Sequence, residues 1–312
     1  MKNEIIKGYH LQIGSSTSND PVRKDVHMYT LPGTTLNPDT VRFDWDTWYT
    51  ITDELAKTDC NTLLIDVLEG VEYESHPDIS AKNAISKEQC KKELDRLRGM
   101  GFEVIPKLNF STRHDAWMGM YGWMVSTPTY YKVCADLIDE VSELFDKPRF
   151  FHLGMDEENV PNHIPLTLDI IRHGDLWWHD FLYLVKCVEK NGARPWIWAD
   201  EVWFRQYEFI RRMPHDVLLS NWYYEDFDQY DRLPDRYLAY DLLDKYGYDQ
   251  VPTGSSYVRD DNFELTVKYC KEHISKEHLL GFMQTSWLRT LPEKLDGHMK
   301  AIKAFNEGIK LI

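Results

Sequence analysis

The run Arg149-Phe150-Phe151-His152-Leu153-Gly154-Met155-Asp156-Glu157-Glu158 carries the strongest chemical signal in the chain. A short apolar segment, strand-like in composition, leads into a glycine and then into adjacent carboxylates. In a regular strand neighbouring side chains point to opposite faces, so Asp156 and Glu157 would diverge. Gly154 lets the backbone bend just before them, so both can reach one substrate. Two carboxyls this close do not ionise independently, and one pKa is expected to rise toward neutrality. A carboxyl tuned in that way suits general acid catalysis of the kind glycosidic cleavage requires. The plainer alternative is an acidic N-cap that opens the next helix, and the rest of the chain decides between the two.

The elements that must position these groups can be read from hydrophobic periodicity. Short apolar runs at 8–13, 62–67, 103–109, 149–154, 194–199, 217–221, 249–253 and 279–286 read as strands. Amphipathic stretches at roughly 44–58, 86–99, 128–146, 175–191, 201–212, 234–246, 262–275 and 292–308 read as helices. Asp44, Ser86, Thr127 and Asp175 stand where N-caps belong, and Lys190-Asn191-Gly192 has the form of a helix stop. The seventh strand is the weakest pattern, because Pro252 removes a ladder donor. Eight strand–helix units predict an α/β fold, a (β/α)₈ TIM barrel. No Gly/Ser-rich linker, repeat or low-complexity run divides the chain, so residues 1–312 are expected to form a single catalytic barrel. The segment 14–42 reads as a long loop after the first strand, either on the active-site face or as a surface excursion.

The C-terminal ends of barrel strands carry the chemistry of this architecture. The second strand ends in Asp66, followed by Glu69, Tyr73 and Glu74. The third leads through Asn109 to His114 and Asp115, and the fourth supplies Asp156 and Glu157. The fifth gives Trp196, Trp198, Asp200 and Glu201; the sixth gives Trp222, Tyr223, Tyr224 and Glu225. Tyr257 follows the seventh, and Trp287 and Arg289 follow the eighth. Each has a structural explanation by itself: Trp198 and Trp287 as core, Asp200 and Glu201 as helix caps, His114 as a hydrogen-bonded histidine, Tyr257 as surface, Asp66 as a buried ion-pair partner. Their recurrence at one end of the barrel is the signal.

Composition narrows the ligand class. A formal net charge of −15 argues against nucleic acid or an anionic membrane as partner, and says nothing against a neutral sugar. Eleven tryptophans exceed what a core of this size needs, and indole faces stack on sugar rings. The five cysteines, Cys60, Cys90, Cys134, Cys187 and Cys270, show no CxxC or Cys/His ligand spacing, which predicts reduced thiols. The first residues lack an apolar signal region, so a cytoplasmic location is expected. A metal-dependent barrel hydrolase would carry His-x-His after the first strand, where only His10 stands; no metal and no cofactor are expected.

His152-Leu153-Gly154-Met155-Asp156-Glu157 resembles the His-x-Gly-Gly-Asp-Glu signature of glycoside hydrolase family 20, the β-N-acetylhexosaminidases. The resemblance extends over most of the chain. Arg113-His114 stands where that family has Pro-Gly-His, Trp196 through Glu201 resembles its Trp-Asp-Glu segment, and Trp287 resembles the tryptophan that closes its sugar pocket. The runs Leu63-Leu64-Ile65-Asp66…Tyr73-Glu74 and Thr285-Ser286-Trp287-Leu288-Arg289 are most similar to the compact, single-domain hexosaminidase D branch. Three positions depart from the pattern. Met155 replaces the second signature glycine, no arginine lies in Gly8–Gly14, and Arg289 stands where an acidic residue often follows the last tryptophan. All three fall on groups that read sugar hydroxyls.

The resemblance implies substrate-assisted, retaining catalysis on a carbohydrate with a terminal N-acetylhexosamine. The substrate's 2-acetamido oxygen would be the nucleophile, so two-carboxylate spacing rules do not apply. Glu157 would protonate the leaving oxygen and then activate water; Asp156 would accept the acetamide N–H. Trp198, Trp222 and Trp287 would wall the pocket, and Tyr257, or else Tyr223 or Tyr224, would donate to the acetamide oxygen. Asp66, Glu69, His114, Asp200 and Glu201 would bind sugar hydroxyls or hold the catalytic pair. The competing readings are a retaining glycosidase with a separate carboxylate nucleophile at Glu201 or Glu69, and a non-catalytic carbohydrate-binding barrel.

Overall fold

The computed structural model describes residues 4–14, 40–159, 162, 170–227 and 234–312. Eight parallel strands lie in the order β6-β5-β4-β3-β2-β1-β8-β7. They are β1 (Ile6–Gln12), β2 (Thr62–Asp66), β3 (Glu103–Lys107), β4 (Phe150–His152), β5 (Arg194–Trp198), β6 (Leu218–Ser220), β7 (Thr253–Ser255) and β8 (Gly281–Thr285). Single bridges, Leu219 to Gln250 and Trp222 to Thr253, join β6 to the β7 segment and close the ring. This is the expected (β/α)₈ barrel.

Barrel strands are covered on both faces, so they read as continuous apolar runs. β2 is buried at every position: Leu63 and Ile65 pack outward under the helices, while Leu64 joins the barrel interior with Ile105, Trp196, Trp198 and Met283. The seventh strand begins at Thr253, later than the 249–253 pattern suggested. Pro252 is the reason. It accepts from Met283 N through its carbonyl but has no N–H to give, so pairing before it is reduced to the isolated bridges at Gln250.

The helices follow their caps. α1 (Trp45–Leu55), α2 (Lys87–Gly99) and α3 (Pro128–Leu144) start where the side chains of Asp44, Ser86 and Thr127 accept the N–H of Thr47, Gln89 and Tyr130. α4 (Asp175–Lys190) departs from expectation: Asp175 is already helical, its carboxylate pairs with Arg212 at 2.6 Å, and the cap position is Gly174 at φ 55°. The stretch 201–212 breaks into α5 (Glu201–Phe204) and α6 (Gln206–Arg212) at Arg205, which takes φ −140° and turns its guanidinium back to Glu201 and His173. α7 (Pro234–Lys245), α8 (Asn262–His273) and α9 (Leu295–Ile309) complete the ring. The five cysteines are free and buried. Among the described residues no helix is long and apolar enough to cross a membrane. Of the expected loop 14–42, residues 15–39 lie outside the described residues.

Candidate active site

The chain leaves β4 through a tight, left-handed turn. Gly154, Met155 and Glu157 have φ of 72°, 73° and 63°. A Cβ on Gly154 would stand 2.0 Å from Asn109 Oδ1, so only glycine fits there. For Met155 and Glu157 the left-handed region costs about 1–2 kcal/mol each, and specific bonds hold them. Asn109 Oδ1 accepts Met155 N–H at 3.3 Å, Asp200 Oδ2 accepts Glu157 N–H at 2.8 Å, and Ser111 Oγ donates to Asp156 O at 2.5 Å. Strain held by its surroundings in this way is typical of functional turns.

The turn delivers Asp156 and Glu157 to a cavity of about 560 Å³ at the C-terminal end of the barrel, within the range of small-molecule sites, roughly 300–1,000 Å³. Asn109 Nδ2 donates to Asp156 Oδ1 at 2.8 Å. His114 Nε2 lies 3.4 Å from Asp156 Oδ2 and 3.2 Å from Glu157 Oε2. Burial disfavours the His114 cation, but Asp156 and then Glu157 outweigh it and raise its pKa to about 10. The imidazolium therefore persists through neutral pH.

One pKa of the adjacent pair was expected to rise toward neutrality, and at Asp156 the electrostatics run the other way. Burial pushes Asp156 up, yet His114, Lys107 and the Asn109 hydrogen bond together hold it well below the usual carboxylate range. The carboxyls pushed upward follow β5: Asp200 far upward, by its burial and then by the charge of Asp156, and Glu201 to about 7, by its burial against the pull of Arg205.

A second layer lies beneath. Asp66 receives Lys107 Nζ at 2.6 Å and His10 Nε2 at 2.8 Å. Burial raises the Asp66 pKa, but Lys107 and His10 overcome it and bring it to about 2. Burial lowers the His10 pKa, so a neutral ring donates to Asp66. Lys107 also lies 5.9 Å from the Trp198 ring centroid and 6.0 Å from that of Trp287. Those indoles meet edge to face at 5.9 Å. Trp222 and Tyr224 form the adjoining wall, with ring centroids 5.0 Å apart. Trp287, itself at φ 54°, donates its indole N–H to Tyr224 Oη at 3.1 Å.

The structure thus gathers Asp66, His114, Asp156, Glu157, Trp198, Trp222, Tyr224 and Trp287 in one pocket. Tyr257 reaches only its mouth and is 70 % exposed. Three residues expected to bind sugar hydroxyls or to hold the catalytic pair sit off the wall. Glu69 is buried in the 3-10 turn Leu68–Gly70, Asp200 is buried behind Glu157, and Glu201 opens α5 paired to Arg205. Tyr223 is turned into the core against Phe227 and Tyr237. Lys107 was not singled out from sequence, and Asn109 and His10 were named there without a role in the site; a lysine inside the strand-like run 103–109 was the available signal. Among the described residues no cluster of three or more His, Cys, Asp or Glu side chains could hold a metal ion.

No protein-family model and no curated protein matches this chain. Solved structures do. The chain superposes on the Flavobacterium johnsoniae chitobiase FjGH20 with a TM-score of 0.67 and 18 % identity, over 96 % of this chain and 48 % of that one. The Vibrio harveyi GH20 exo-β-N-acetylglucosaminidase, solved in complex with N-acetylglucosamine, gives 0.60 and 12 %, over 96 % and 54 %. Dispersin B gives 0.56 and 14 %, over 85 % of this chain and 94 % of its own. The barrel shares its fold with these glycoside hydrolase family 20 structures. The chain spans about half the length of the first two of these family 20 proteins. Within this barrel, the strained turn after β4 carries the two carboxylates, and indoles at the end of β5 and after β6 and β8 enclose them.

Proposed function

We propose that this chain is an exo-β-N-acetylhexosaminidase that works by substrate-assisted, retaining hydrolysis. The observation that carries the reading is the division of labour at the β4 turn. Asp156 is held ionised by His114, Lys107 and Asn109, while Glu157, 29 % exposed at its side chain, faces the cavity beside it.

An ionised Asp156 accepts the acetamide N–H and turns the acetamide oxygen toward the anomeric carbon. Glu157 donates its proton to the glycosidic oxygen as that bond breaks. The acetamide oxygen closes on the anomeric carbon, and the Asp156 charge offsets the positive charge of the oxazolinium. Glu157, now a carboxylate, takes a proton from water as the water opens the ring from the opposite face. Two inversions leave the β configuration unchanged. Tyr224 lines the cavity wall with its Oη accepting from Trp287, which favours it over the exposed Tyr257 and the inward Tyr223 as the group that meets the acetamide oxygen. The Vibrio harveyi neighbour, an exo-enzyme solved with N-acetylglucosamine, agrees with this reading.

A separate carboxylate nucleophile fits poorly. Glu201 is tied to Arg205, and neither Glu201 nor Glu69 lines the cavity. Matched aryl glycosides that differ only at C2 test the proposal. The account expects turnover of 2-acetamido β-glycosides and little of 2-hydroxy ones; equal turnover of both would refute it.

A further inference from the structure

One carboxyl beside the catalytic pair has no part in the steps above. Asp200 follows β5, is 2 % exposed and does not line the cavity. Its Oδ2 accepts the Glu157 N–H at 2.8 Å, and its Oδ1 has no hydrogen-bond partner among the described residues. The charged groups that face it are Asp156 and Glu157 from the β4 turn and Glu201 from α5. A bare anionic oxygen in that setting is costly, so the proton belongs on Oδ1 and Oδ2 is left as a carbonyl-type acceptor. Across the turn Asn109 does the same job with an amide oxygen. It receives the N–H of Met155, the other left-handed non-glycine residue of the turn. Two side-chain acceptors, one after β3 and one after β5, thus grip the two strained backbone N–H groups on either side of Asp156.

We infer that Asp200 is a positioning residue for Glu157. Through one hydrogen bond to the Glu157 backbone it fixes how far the acid's carboxyl reaches into the pocket, and an acceptor oxygen, not a charge, is what the position requires. The inference rests on Glu157 being the general acid of the proposed reaction. A misplaced acid hurts most where the leaving group needs its proton, so the loss depends on the leaving group.

The test compares Asp200→Asn, Asp200→Ala and the near-isosteric Asp200→Leu, each checked for cooperative unfolding. Substrates are an aryl 2-acetamido-β-glycoside with a poor leaving group and one with a dinitrophenyl leaving group. Asp200→Asn should keep kcat within about threefold on both, because an amide oxygen replaces the acceptor. Whichever of the Ala and Leu variants folds should lose ~10- to 10²-fold in kcat on the poor leaving group, with KM little changed, and far less on the activated one. Full kcat in the Ala or Leu variant overturns the inference. So does equal loss by Asn, Ala and Leu on both substrates, which would mean that charge or simple packing matters. A wild type inactive on both substrates overturns the functional reading and this inference with it. Activity in the wild type without the leaving-group split overturns the inference alone.

Discussion

His114 bridges the two central carboxyls, with Nε2 3.4 Å from Asp156 Oδ2 and 3.2 Å from Glu157 Oε2. One cation therefore serves two carboxyls of different duty. In the proposed reaction it keeps Asp156 ionised to grip an acetamide and holds the Glu157 side chain near the scissile bond. Replacing His114 by Phe should lower kcat/KM by ~10²-fold, since it removes both positioning and charge. The same variant has a pH signature. The His114 pKa is raised in the fold, to about 10, so the stability it contributes is complete below its unfolded value and is lost as pH climbs through the folded one. Urea unfolding should show the advantage of wild type over His114→Phe shrinking from pH 6 to pH 10; an advantage independent of pH would disprove the ion pairing.

Glu157→Gln should reduce turnover of 2-acetamido glycosides with poor leaving groups by roughly 10²- to 10⁴-fold, through loss of general acid–base catalysis. Its unfolding midpoint should stay near that of wild type, because the side chain is partly exposed. Near-normal turnover in the folded variant would place the acid elsewhere.

Asp200→Asn should be more stable than wild type at pH 7. The Asp200 pKa is raised well above its usual value, so its favourable contribution is present below the unfolded pKa of about 3.9 and declines as pH rises beyond it. An amide carries no such decline. The gain should be larger at pH 7 than at pH 5 in matched urea titrations; the reverse order would mean that Asp200 is ionised in the fold.

Gly154→Ala should destabilise the protein by ~1–3 kcal/mol. Its Cβ meets Asn109 at 2.0 Å in a left-handed backbone. Asn109 also supports Asp156, so activity should fall with stability. Chemical denaturation and kcat/KM of the same preparation measure both, and an unperturbed Ala variant would show that the turn relaxes freely.

Much of the fold was legible because barrel strands are buried on both faces. β2 and β5 announce themselves as apolar runs, and the caps at Asp44, Ser86 and Thr127 mark true helix starts. β7 shifted because Pro252 breaks pairing inside the run that hydrophobicity picks out. Asp156, Glu157 and the tryptophans were legible because strand ends set the height of a side chain in the barrel. Direction is another matter. Asp200 and Glu201 sit at the right height but turn behind Glu157 and toward Arg205. The charge state of Asp156 was illegible for a related reason. Adjacent carboxyls suggest mutual repulsion, whereas the groups that settle Asp156, namely Asn109, His114 and Lys107, come from β3 and its loop. Their proximity is a product of the closed barrel and is not written in local sequence.

In the proposed reaction the substrate supplies its own nucleophile and Asp156 grips it. A stable thiazoline mimic of the bicyclic oxazoline measures this directly, as its inhibition constant relative to that of the free N-acetylhexosamine. The account predicts binding at least ~10²-fold tighter for the thiazoline, because it resembles a high-energy species along the path, and loss of most of that advantage in Asp156→Asn. A thiazoline that binds no better than the free sugar, or equally well to Asp156→Asn, would contradict it.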